Sequence, residues 1–159
     1  MNRAHSFPLA LVLLCSFVLG GCGVFHRPDN GPTPEAAHRL VRTAYDQMGT
    51  RYRSGGASPG KGFDCSGLIW WTYKQHGLRI PRVTADQAKA GHRVAAAHAR
   101  PGDIVVFRTG SSPRGLHTGI YAGGDSFIHS PSAGKKVSMA SMKSPYWRDR
   151  LVSVRRILP

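Results

Sequence analysis

The chain has 159 residues, with 22 lysines and arginines against eight aspartates and glutamates, a formal charge of +14. That length supports one domain with one core, and so basic a chain is drawn toward polyanions. No RNA-recognition pattern of interleaved aromatic and basic residues and no zinc-finger spacing is present, so nucleic acid is not the expected partner.

The first stretch reads as an export signal. Arg3 supplies the positive start, an apolar run extends from Phe7 to Leu19, and Leu19-Gly20-Gly21-Cys22 closes it. A membrane-spanning helix needs roughly 20 apolar residues, whereas this run is broken by Pro8 and stops at glycines and a cysteine. Leu19-Gly20-Gly21-Cys22 resembles a bacterial lipobox, which implies a signal over residues 1–21 and a lipid on Cys22. Cleavage at nearby small residues, leaving an exported soluble chain, is the alternative. Residues 22–33 then form the lipidated cysteine and a Gly- and Pro-rich tether of at most about 40 Å, and 34–159 form the folded domain. For such a chain the polyanion at hand is the cell wall or the lipid headgroup layer.

Thr33-Pro34-Glu35 predicts a helix start, with cap, proline and early acid in order. Ala37, Leu40, Val41, Ala44, Tyr45 and Met48 recur at helical spacing as its core face, and Gly49 ends it. Thr50 to Gly62 reads as a long loop. Asp64 is placed to cap a second helix from Cys65 to His76, apolar on nearly every side of its first half and therefore central. Thr84-Ala85-Asp86-Gln87 predicts a third, short helix opened by a capping box. From Pro101 the pattern changes to strands: Asp103–Arg108, Leu116–Tyr121, Ser126–Ser130, Val137–Met139 and Leu151–Ile157. Helices first and strands second predict an α+β fold, with N-terminal helices packed on an antiparallel β-sheet.

Cysteine bookkeeping supplies the first chemical clue. Cys15 leaves with the signal and Cys22 carries lipid, so Cys65 has no partner in the mature chain. A free thiol is often a buried apolar filler; here it falls in the first turn of a helix, where amides and dipole favour the thiolate. A histidine that accepts the thiol proton completes a nucleophilic pair, and His117 and His129, on adjacent predicted strands, qualify. They share a face only if the β-hairpin pairs positions of even sum. A two-residue turn at Gly123-Gly124 would separate them, whereas an odd loop, the expected arrangement, or a glycine bulge would bring them together. His129 would then orient His117 as the third member of a triad. His5, His26, His38, His76, His92 and His98 lack such a setting. One cysteine and two histidines can also ligate zinc, but no His-Glu-x-x-His or close cysteine pair supports that use.

Together these blocks resemble the NlpC/P60 peptidases. Phe63-Asp64-Cys65-Ser66-Gly67-Leu68 is similar to the family's nucleophile motif, Pro81-Arg82-Val83-Thr84 with Gln87 to its intervening segment, and Arg100-Pro101-Gly102-Asp103-Ile104-Val105-Val106-Phe107 to the following strand. His117-Thr118-Gly119-Ile120-Tyr121 is similar to the base motif and Phe127-Ile128-His129-Ser130 to the orienter. The resemblance, over about Glu35 to Ile157, implies a papain-like fold and hydrolysis of amide bonds in peptidoglycan stem peptides or their cross-links, by Cys65, His117 and His129 without a cofactor. It implies Tyr52 near the oxyanion, with Asp64 and Ser66 grouped on the oxyanion or substrate side. Ser54 stands where the family often has an aromatic residue, which alters the wall of the cleft. Gly23 after a lipidated Cys22 implies the periplasmic face of an outer membrane, in a cell that has one. A noncatalytic wall-binding lipoprotein, or an amidase or acyltransferase on the same fold, are the competing readings. Oligomeric state is not legible.

Overall fold

The structure, a computed structural model, describes Met1 and residues 34–110 and 115–158. The signal, Cys22, the tether, Thr33, His5 and His26 lie outside the described residues.

Helix α1 (Pro34–Tyr45) buries Ala37, Leu40 and Ala44, the i, i+3, i+7 stripe of the sequence. Tyr45 and Met48, expected on that stripe, are 49% and 38% exposed. The helix ends at Tyr45, which sits on the flank of the stripe, and Met48 belongs to the turn that follows. Gly49 adopts φ 83° there and donates its N–H to Val137 O at 2.9 Å.

The stretch from Thr50 to Gly62, expected as a loop, contains most of a small β-hairpin, β1 (Ala57–Ser58) with β2 (Gly62–Phe63). It leads into α2 (Cys65–Gln75), whose Leu68, Ile69 and Tyr73 are fully buried, as the all-round apolar pattern predicts. The one-turn α3 (Thr84–Gln87) follows.

Strands β3 (His92–Val94), β4 (Ile104–Arg108), β5 (Leu116–Gly123), β6 (Ser126–His129) and β7 (Ser138–Ser141) are joined by β8 (Leu151–Arg156). They form one sheet in the order β3-β8-β4-β5-β6-β7, every neighbour antiparallel. One face, with Ile104, Val106, Ile120 and Ile128, packs against Leu40, Leu68 and Ile69 of the helices. The other, with Val105, Phe107, Tyr121, Phe127 and Val154, is covered by Trp147 from the single turn α4 (Pro145–Arg148). Because β4 is buried on both faces, its sequence is a continuous apolar run and not an alternation.

An ion pair closes the sheet behind β4: Arg156 reaches Asp103 at 2.9 and 2.8 Å, and Asp103 also accepts the Arg100 N–H at 2.8 Å. The elements not expected from the sequence are short. The edge strand β3 is largely polar, and α4 has one turn.

Candidate active site

Cys65 opens α2 behind Asp64, whose extended backbone and side chain make the N-cap, Oδ1 accepting from Gly67 N at 2.6 Å. Arg82 clamps both carboxylate oxygens at 2.9 and 2.8 Å and reaches Ser66 Oγ at 3.0 Å. The Gly55 N–H adds a bond to Oδ2 at 3.0 Å, and Ser66 Oγ one to Oδ1 at 3.3 Å. Asp64 and Ser66, expected on the oxyanion or substrate side, are bonded to Arg82 and to backbone amides at the helix start. Their side chains hold the helix start and the glycine loop together. The backbones come so close that a Cβ on Gly67 would lie 2.0 Å from Gly56 O.

The sheet contributes the histidines. Ile120 pairs with Ile128 and Tyr121 with Phe127, positions of even sum, whereas Gly123 pairs with Ser126. The hairpin tip is the two-residue turn Gly124-Asp125, with φ 56° and 59° as a type I′ turn requires, and a bulge between Tyr121 and Gly123 restores parity. The expected common face is present, reached by the bulge and not by a simple odd loop. His117 Nε2 and His129 Nδ1 lie 2.8 Å apart, the rings nearly perpendicular. Gly119 makes room for Phe127, whose Cδ2 would be 2.5 Å from an added Cβ.

Both rings are about 95% removed from solvent. Trp147 packs on them, its centroid 5.5 Å from His117 and 5.1 Å from His129. Burial pushes His117 down to about 4. Burial, the His117 charge and Lys135 push His129 down to about 3. Each imidazole is thus neutral at neutral pH. A groove of about 540 Å³ runs beside the pair, lined also by Lys135, Met139 and Tyr146.

Three further side chains bear on the start of α2. Tyr52 is held by the bond of its N–H to Lys135 O at 2.8 Å. Burial, then the charges of Cys65 and Asp64, raise its pKa above the ordinary tyrosine value, so the hydroxyl keeps its proton. Thr84 Oγ1 lies 3.5 Å from Cys65 Sγ. Gln87 Nε2 donates to Ser66 O and Pro81 O, each at 2.9 Å, while its Oε1 accepts from Thr118 Oγ1 at 3.3 Å. The hydrogen bonds thus join His117 to His129 and Cys65 to Thr84; none joins Cys65 to a histidine among the described residues.

The capping box expected of α3 is not formed. Val83 is the N-cap, without a side-chain bond, Thr84 is already helical, and Gln87 is spent on α2 and β5. Trp147, Arg82 and the bridging role of Gln87 were not found from sequence as site residues. Ser144-Pro145, a cap and first-turn proline, was the local signal for the turn that carries Trp147.

Residues 49–156 match the model of the NlpC/P60 family. The chain belongs to the NlpC/P60 family. Among curated NlpC/P60 relatives, Escherichia coli (strain K12) Murein DD-endopeptidase MepS/Murein LD-carboxypeptidase is 42% identical over 76% of this chain, which spans 62% of that protein. The "Probable endopeptidase NlpC" of the same strain is 35% identical, with 92% of this chain and 97% of that protein covered. A solved NlpC/P60 structure from Staphylococcus aureus subsp. aureus Mu50, described as similar to lipoprotein, superimposes with a TM-score of 0.72 at 34% identity. It covers 81% of this chain and 43% of that one. The described α+β architecture is that of NlpC/P60 domains.

Proposed function

We propose that this protein is a peptidoglycan hydrolase that cleaves amide bonds of stem peptides or of their cross-links, with Cys65 as nucleophile, His117 as base and His129 as its orienter. The observation that carries this reading is the pairing, within one NlpC/P60 domain, of a thiol at a capped helix start with two buried neutral imidazoles in contact. In this reading His117 Nε2 donates to His129 Nδ1 across their 2.8 Å contact, which leaves His117 Nδ1 as the basic nitrogen.

In this mechanism His117 takes the thiol proton and Sγ attacks the carbonyl carbon. The oxyanion is met by the backbone N–H of Cys65, at a helix start whose first amides lack intrahelical acceptors, and by the Tyr52 hydroxyl. His117 passes the proton to the departing amine, and water, deprotonated by His117, releases the acyl group from sulfur. Catalytic hydrogen bonds are commonly long without substrate and tighten when it binds, which accommodates the separate bonding of Cys65 and His117 in this structure.

The further parts of the reading are a lipid on Cys22, attachment at the periplasmic face of the outer membrane, and attraction of the basic surface to the wall. They rest on Leu19-Gly20-Gly21-Cys22, Gly23 and the charge of +14. Palmitate labelling that survives in a Cys22→Ala variant would refute the anchor.

The deciding experiment is digestion of purified sacculi by wild type and Cys65→Ala, with mass spectrometry of released muropeptides. Conversion of cross-linked dimers to monomers by wild type alone is expected, and shortened stems would place the cut within a stem. Equal products from both proteins would overturn thiol catalysis, and no product from either would favour a scaffold.

A further inference from the structure

We propose that Thr84 is a positioning residue for the Cys65 thiol, and that the turn from Arg82 to Gln87 is the frame that holds the thiol in place. This rests on Cys65 being the nucleophile, as proposed above.

Three side chains of one short turn address three consecutive residues of the helix start. Arg82 binds Asp64 and Ser66, Thr84 contacts Cys65 Sγ, and Gln87 binds Ser66 O. Arg82 Nη2 also donates to Gly56 O at 3.1 Å, so the same turn pins the loop that packs over α2. Gln87 is fully buried, and its other end accepts from Thr118, the neighbour of His117 on β5. The turn is thereby bonded both to the nucleophile's helix and to the base's strand, 19 and 31 residues away in sequence at Thr84–Cys65 and Gln87–Thr118.

Within this frame the Thr84 hydroxyl is not engaged in capping α3. At 3.5 Å from sulfur it is within the range of a sulfur hydrogen bond, and either atom can donate. Before reaction the thiol can donate to the threonine oxygen, restricting rotation of Sγ. Once the proton has moved to His117, the hydroxyl can rotate and donate to the thiolate. A hydrogen bond to a charged group is about twice as strong as one between neutral groups, so the contact strengthens when sulfur becomes the nucleophile. No atom of Thr84 is consumed or transferred, and its effect on turnover is through Cys65.

The test uses the full chain in three variants, Thr84→Val, Thr84→Ala and Thr84→Ser, with two readouts. One is kcat and KM for release of muropeptides; the other is the rate of iodoacetamide labelling at Cys65, followed by mass spectrometry of the peptide that contains it. Thr84→Val and Thr84→Ala should each lower kcat and slow labelling by about tenfold, the low end for a hydrogen bond to a charged group, with KM unchanged. Thr84→Ser keeps the hydroxyl and should restore both. If valine disrupts the turn, alanine, which adds no bulk, still reports. Wild-type labelling and kcat in Thr84→Ala would overturn the proposal, as would a rise in KM alone or failure of serine to rescue. Full activity of Cys65→Ala would instead sink the nucleophile reading, while the labelling rates would still report on the contact.

Discussion

Lowering the pH from 7.5 to 4.5 should destabilise the fold by about 2 to 3 kcal/mol through His117 alone. Burial holds this imidazole at about 4 in the folded chain, against roughly 6.5 when unfolded. Between those values the unfolded state binds a proton that the folded state refuses. Stability is therefore full above about pH 6.5 and is lost as pH falls toward 4. The shift of about 2.5 units corresponds to about 3 kcal/mol when complete, most of it expressed by pH 4.5. His129, pushed to about 3, acts in the same direction, but part of its depression comes from the His117 charge, so the two do not simply add. Stopping at pH 4.5 stays above the ordinary carboxylate range of about 4. Urea unfolding followed by tryptophan fluorescence at both pH values would measure the loss in wild type and in a His117→Gln, His129→Gln double variant. The double variant should lose at least about 2 kcal/mol less over the interval. An equal loss in both proteins would refute the assignment of acid sensitivity to the buried pair.

Other substitutions probe the scaffold around the site. Gly67→Ala places a carbon 2.0 Å from Gly56 O, so it should lower the melting temperature and abolish turnover; a wild-type melting curve would refute the close approach. Asp103→Ala leaves the Arg156 guanidinium, largely buried, without its carboxylate, which should destabilise by about 3 kcal/mol in urea unfolding. Trp147→Ala opens the histidine pair to water, and the pKa values of both rings, read by NMR titration, should move up toward 6.5. Binding of the Cys65→Ala variant to sacculi in a pull-down should weaken as salt is raised from low to physiological strength, because the basic surface is screened.

Much of the fold was legible because it is local. The stripe Ala37, Leu40, Ala44, the all-round apolar α2 and the β-branched run before Phe107 are short-range patterns, and the helix-then-strand order follows from them. Asp64 ahead of Cys65 marked a capped thiol by the same local logic. The face shared by His117 and His129 was stated as a parity condition; one bulged residue near Gly123 met it, and both outcomes were compatible with two adjacent glycines. The partners of the site lay beyond such reasoning. Arg82 finds Asp64 across 18 residues, and Trp147 of a single helical turn lands on both rings. Thr84 and Gln87 fit a capping box in sequence, and only the docking of α3 on α2 and β5 sends their side chains to Cys65, Ser66 and Thr118 instead. Periodicity and capping report the backbone's own preferences, whereas such contacts depend on how separate elements pack, which no local window contains.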